Sequence, residues 1–329
     1  MPTPGRSGKP RCSDEVPSVS ASRHRLPDGR WHFQHGPMDI VIGADPDVGA
    51  GAQVAVDSAH EAAWARFVPM LAQLMQEWPV LRLPVQPGAV CPLQGEVARC
   101  MWQACAPWAA QTFITPMAAV AGSVAQALLA CYARAGVARA WVNNGGDIAL
   151  HLLPGQSVRV GLYADLARLQ VQELMQGLKL DGAFEIAHPM PVRGVATSGW
   201  RGRSFSFGIA DSVTVLAATA AQADAAASII ANAVNVAHPA IVRQPANSLR
   251  DLTDLGDLAV TVDVPALPAE MVQQALQAGL QRARECQERG LIEAAALVCQ
   301  GQSLLLPMAF GADPEPDPLC CPDPVGVWA

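Results

Sequence analysis

Residues 194–211 read GVATSGWRGRSFSFGIAD and run directly into SVTVLA at 212–217. An apolar strand ends in glycines, hydroxyls and two arginines, and a second apolar strand leaves them. Gly199 and Gly202 allow backbone to come close to a ligand. Thr197, Ser198 and Ser204 offer hydroxyls, and the forks of Arg201 and Arg203 match phosphate geometry. Taken alone, the segment is equally a polar turn between two strands. The next stretch of chain carries more weight. In AATAAQADAAASIIANAVN, residues 217–235, Asp224 is the sole charged side chain. At 3.6 residues per turn Asp224, Ser228, Asn232 and Asn235 share one helix face. Two readings stand. The helix is packed by alanine with Asp224 favoured near its positive end, or it lines a pocket. In a pocket, Asp224 and Ser228 supply oxygen ligands to a hard cation such as Mg²⁺. A buried carboxylate calls for a cation or an arginine.

Outward from this pair the periodicity alternates between hairpins and helices. RWHFQHGPMDIVIGA predicts two strands around His35-Gly36-Pro37, and ARAWVNNGGDIALHLL predicts a hairpin at Asn144-Gly145. Residues 143–147 form a second tight, glycine-bearing turn. Ala52 to Gln76 is helical, with Trp64, Phe67, Leu71 and Leu74 on one face. A further helix spans Glu96 to Ala109, and Thr115-Pro116 opens the next as N-cap and first turn. SVRVGLY and Leu258–Val264 read as strands, Thr219–Val236 and Ala269–Arg289 as helices, and EAAALVCQGQSLLLP as a hairpin turning at Gln300-Gly301. This mixture predicts an α+β fold rather than a doubly wound sheet. One large domain over residues 23–310 is expected, between disordered segments at 1–22 and 311–329 that are rich in Pro, Gly or Asp.

Composition excludes several classes. The net charge is −7 and the hydrophobic fraction 51%, which gives a core but no basic face for nucleic acid. Residues 113–133 and 220–237 are alanine-rich with buried-helix character and are not membrane spans. Nine cysteines show no zinc spacing, Cys131 and Cys299 sit in apolar runs, and a reduced, cytoplasmic setting is expected. A homo-oligomer is left open. No phosphate-binding GxxxxGK[ST] loop exists, the glycines at 49 and 51 miss the dinucleotide template, and GRSFSFG is not a nucleophile elbow. His35 and His151 flank strands as structural residues.

The order VNNGGDIAL, GVATSG, SVTVLA, ADAAAS resembles the ApbE-like superfamily, flavin transferases that move FMN from FAD to a protein threonine. HGPMDIVIGA and ITPMAAVAGSVAQALL bring it closest to the branch designated uncharacterised protein family 0280. The resemblance covers about residues 30–305. It implies a T-fold-related α+β architecture of mixed sheets with packed helices, and a cleft for FAD, FMN or another nucleotide. Asp224 and Ser228 then match Mg²⁺ ligands, Gly145 and Gly146 a turn near the flavin nucleotide, and Thr197, Ser198 and Gly199 the wall beside it. Thr115, Asn144 and Asp147 join these as cofactor-binding candidates. Two departures stand out. Ala121 replaces the family's lysine and Gln126 an aspartate, and the histidine segment that precedes SVTV is missing. Arg201, Arg203 and Asp211 are the candidate replacements. The expected activity is Mg²⁺-dependent transfer or hydrolysis at a phosphate ester. The alternative is a non-catalytic module for a flavin or other small ligand.

Overall fold

The computed structural model describes residues 20–162, 182–309 and 326–328. Most of the expected terminal segments therefore lies outside the described residues. Ser22 already belongs to the first strand, and Gly326–Trp328 pairs as the last.

Nine antiparallel strands make the main sheet. In chain order its first five are β1 (Ser22–Arg25), β2 (Trp31–His35), β3 (Met38–Pro46), β4 (Val137–Asn144) and β5 (Asp147–Leu152). After β6 (Ser157–Leu162) and β7 (Gly182–Ala187) come β8 (Gly194–Ser198) and β9 (Ser212–Ala217). The chain then adds β10 (Val242–Pro245), β11 (Ala259–Asp263), β12 (Ala294–Cys299), β13 (Gln302–Leu306) and β14 (Gly326–Trp328). The sheet order is β1-β2-β3-β4-β5-β8-β9-β12-β13. β10 and β11 form a separate ribbon, and β14-β6-β7 a small sheet in which β14 runs parallel to β6. Both predicted hairpins are present. The first turns at Gly145 and Gly146, whose φ angles of 67° and 115° suit glycine. The second turns at Gln300 and Gly301.

Helices cover one face of the sheet: α1 (Ala52–Gln76), the single turn α2 (Trp78–Leu81), α3 (Glu96–Cys105), α4 (Val120–Leu129), α5 (Ala220–Ala233) and α6 (Ala269–Glu288). The predicted helices fall where expected, with local corrections. The buried side of α1 runs through Val56, Ala63, Phe67, Met70 and Leu74, whereas Trp64 and Leu71 lie at its margin. The helix at 96 ends at Cys105 and tightens into a 3₁₀ turn over Ala106–Trp108. Thr115 stands at an N-cap position, but of a 3₁₀ turn, and its side chain caps nothing. Cys131 is half-buried, while Cys299 is in the core. The six described cysteines are free thiols. Among the described residues no helix is long and apolar enough to cross a membrane.

Strand alternation sorts the sheet into two faces. Ile40, Ile42, Val142 and Ala149 pack under α1 and α4, and Ala196, Val213, Val215 and Leu297 under α5 and α6. Trp141, Ile148, Leu150, Val195 and Leu216 face the other way, against Val158, Val160 and Ile186 of the small sheet.

Candidate functional site

The motif residues meet where α4 and α5 cross the ends of β4, β5 and β8. TAAQ at 219–222 starts α5: the Thr219 hydroxyl accepts from the Gln222 N–H at 3.3 Å and donates to the Gln222 Oε1 at 3.2 Å. Asp224 is thereby set one turn further in, outside the first turn of its own helix. It faces the start of α4 instead, where the Gly122 N–H donates to its Oδ2 at 2.8 Å. The helices touch here, since a Cβ on Gly122 would lie 2.3 Å from the Ala220 carbonyl oxygen. The two helices cap each other, because Gln126 of α4 accepts from the Ala221 N–H at 3.4 Å. The favourable dipole contact expected for Asp224 is thus real but belongs to the neighbouring helix.

Asp147 lies on the helix-side face of β5 and is buried. The Thr197 N–H donates to its Oδ1 at 3.2 Å. Burial pushes the Asp147 carboxyl well above the ordinary range, and the charge of Asp224 pushes it further. Burial likewise raises Asp224 to about 7, against the pull of the Gly122 and Ala121 N–H groups. No arginine, lysine or histidine pairs with either carboxylate among the described residues. Asn144, on the same face and 7% exposed, donates to the Ala121 carbonyl at 3.1 Å. By alternation Ser198 joins this face.

Other candidates sit elsewhere. The Thr197 hydroxyl points to the opposite face and pairs with Thr214 at 2.9 Å, so this residue gives Asp147 only its N–H. Thr115 is 2% exposed and donates its hydroxyl to Asp254. Ser228 follows Asp224 by one turn and is half-buried. Asn232 and Asn235, on the same stripe, are used structurally. Asn232 accepts from the Ser206 hydroxyl and the Phe207 N–H, and Asn235 donates to the Phe207 carbonyl.

The arginines divide. Arg201 pairs with Asp211 at 3.1 Å and lies over the Trp200 ring. Asp211 also accepts from the Gln300 N–H, and so ties the 194–211 segment to the β12–β13 hairpin. Gly199 packs against the Asp211 backbone in the same loop. Arg203 is 69% exposed and reaches toward Asp39 at 3.7 Å. Its guanidinium lies over the Gly145 turn, 3.5 Å from where a Cβ would stand. His32 completes this edge, 2.5 Å from Asp39. Spacing could not reveal the α4 N-terminus, Asp254 or Asp39, because each is distant in the chain. Asp147 was visible as the acid of the GGD turn, but not as the partner of Asp224.

The whole is an α+β protein with two carboxylates brought together between a sheet end and a helix N-terminus. A sequence model of the family described as "AbpE bacteria" matches residues 23–305. The chain belongs to that family. It is 38% identical over 135 residues to the UPF0280 protein of Methanospirillum hungatei, an overlap of 41% of this chain and 50% of that one. To the UPF0280 protein of Methanothermobacter thermautotrophicus it is 42% identical over 124 residues, covering 37% and 43% respectively. The chain spans about half the length of the curated relatives it matches. The crystal structure of the ApbE protein from Thermotoga maritima aligns with 86% of this chain and 96% of its own, at a TM-score of 0.33 and 11% identity.

Proposed function

We propose that the crevice between Asp147 and Asp224 binds Mg²⁺ with a flavin or adenine nucleotide, and that the protein acts at a phosphate ester of that ligand. One observation carries this reading: two neighbouring carboxylates lie together with no cationic side chain beside them among the described residues. Such a pair either holds protons or takes a counter-charge, and a bound cation would displace those protons. Hard oxygen donors in that number suit Mg²⁺, which takes one or two carboxylates and fills its remaining positions with water and phosphate oxygens.

Asp147 and Asp224 would hold the ion, with the Ser228 hydroxyl next along the helix. When bound, the ion supplies Lewis-acid stabilisation of charge developing on phosphate oxygens. Arg203, exposed over the Gly145–Gly146 turn, is the side chain free to swing onto a phosphate. Asn144 and Ser198 line the helix-side wall, and Thr197 and Gly199 act through backbone. Arg201 and Asp211 are positioning residues, since they hold the loop to the β12–β13 hairpin. Thr115 spends its hydroxyl on Asp254 and is not assigned to the site.

The second reading is a non-catalytic flavin- or small-ligand-binding module. It is favoured by the chemistry at the start of α4, where Ala121 and Gly122 supply backbone groups and no side-chain base.

Melting curves with FAD, FMN, ADP and AMP, with and without Mg²⁺, test the proposal. A ligand at a hundred times its Kd stabilises the native state by about 2.7 kcal/mol, a rise of roughly 4 °C for a chain of this size. The expected result is a Mg²⁺-dependent rise with FAD that Asp224→Asn removes, together with release of AMP. A rise that survives Asp224→Asn without Mg²⁺, and no AMP, selects the binding module. No rise with any of the four discards both.

A further inference from the structure

The nine-stranded sheet ends in two edge strands, β1 and β13, whose chemistry differs. An open edge invites pairing with another chain, and natural proteins blunt it with charges or proline. β1 is SRHR, and its Arg23 is tied back to Glu61 of α1 at 2.9 Å. β13 is QSLLL, with neither charge nor proline. Among the described residues it has a strand on one side only, β12. Ser303 and Leu305 on it are exposed, Leu305 by 58%.

Helix α6 lies along this edge, and its side-chain bonds fix which way it faces. Arg282 and Arg289 reach inward to Gln111, beyond the end of α3. On the other flank Gln302 of β13 donates to the Ala269 carbonyl at 3.1 Å, and Gln287 donates to the Pro307 carbonyl at 2.8 Å. α6 and β13 therefore run in the same direction, start beside start and end beside end. At about 100° per residue, Glu270, Gln273, Gln277 and Arg284 fall on the Gln287 side, away from Gln111, and all four are exposed. Met271 to Gln281 holds no charged residue, whereas the solvent face of a helix commonly does. Glu270, Gln277 and Arg284 are seven apart and share one stripe. Neither Glu270 nor Arg284 forms an ion pair among the described residues.

We propose that β13 and this flank of α6 form a two-fold interface with a second copy of the chain. Antiparallel pairing of β13 about Leu304 sets Ser303 against Leu305 of the partner subunit and continues the sheet through both copies. Because α6 runs with β13, the same axis passes by Gln277 and lays the two α6 helices antiparallel. Glu270 and Arg284 are equidistant from Gln277, so Glu270 meets Arg284 of the partner subunit, and Arg284 meets Glu270 of the partner subunit. An acid and a base placed symmetrically about the axis make the surface self-complementary, as a two-fold interface requires. The β1 edge fails this condition, since two copies of it would set Arg23, His24 and Arg25 against one another. The interface uses no residue of the Asp147–Asp224 crevice and does not rest on its proposed chemistry.

Sedimentation equilibrium of the full chain at micromolar concentration is the test. Expected is a mass twice the 34.5 kDa of one chain. Arg284→Glu sets acid against acid at two equivalent contacts and should weaken the dimer about tenfold. Adding Glu270→Arg to it restores opposite charges at both contacts and should recover the dimer. Leu305→Lys places a charge on the bare edge and should weaken association by a similar factor. All three side chains are exposed, so the variants keep the fold, which their melting curves verify. A single-chain mass at this concentration overturns the proposal. So does a dimer that Arg284→Glu and Leu305→Lys leave unchanged, because it would form through another surface. A loss with Arg284→Glu that Glu270→Arg does not repair overturns the antiparallel α6 contact.

Discussion

Asp224 is held between opposing demands. Burial favours its protonated form, whereas the α4 N–H groups favour the anion, and burial prevails to bring it to about 7. Its folded value lies above the ordinary 3.8. The folded state therefore binds more protons than the unfolded chain between about pH 4 and 7. The stability it contributes is complete below that window and is lost as pH rises through it. His60 acts in the opposite sense, since its lowered value costs stability as pH falls from 6.5 toward 4. Comparison of the protein with Asp224→Asn isolates the carboxylate. Urea unfolding should show the unsubstituted protein losing about 4 kcal/mol relative to the variant between pH 4 and 8. Saturating Mg²⁺ should restore most of it. A difference that stays constant across this range contradicts a raised Asp224.

Helix pairs and loops explain why a single stripe on α5 has two jobs. Its N-terminal half sets Asp224 against the start of α4, and its C-terminal half fastens the 205–208 loop through Asn232 and Asn235. The four polar residues were legible in sequence because a 3.6 period puts them together. Their division of labour was not, since it depends on which neighbour each turn meets. Asn232→Ala leaves the Ser206 hydroxyl and the Phe207 N–H without an acceptor and should cost about 2 kcal/mol. Amide exchange should quicken at 206–208 ahead of the rest of the fold. Unchanged exchange there would show that the loop is held by other contacts. The 194–211 segment also reads differently at this scale. Arg201, placed in sequence as a phosphate ligand, is committed to Asp211, and Arg203 is left to reach outward.

Across the whole molecule one continuous sheet carries two helix-side packing groups. One gathers under α1 and α4 and the other under α5 and α6, and Trp102 packs against both. Ile42 and Leu297 are completely buried in the two groups. Truncating either to alanine should cost about 2–5 kcal/mol and shift the same single melting transition. Two separated transitions, each moved by one variant, would show that the halves fold independently. Coupling is expected because the β5–β8–β9 ladders join the halves through hydrogen bonds that neither can make alone.

The α+β class, the long helices, ten of the fourteen strands and both glycine turns were determined by the sequence itself, whereas the strands at 22–25, 182–187, 242–245 and 326–328 were not. Period-2 and period-3.6 patterns and turn residues act within a few neighbours of one chain. Tertiary structure alone decided what each polar group meets. Asp224 caps a helix about a hundred residues away, Thr197 turns its hydroxyl to the opposite face of the sheet from Asp224, and Thr115 spends its hydroxyl on Asp254. Those outcomes depend on which strand edge and helix end are brought together, and on the cost of leaving a polar group unpaired once they are.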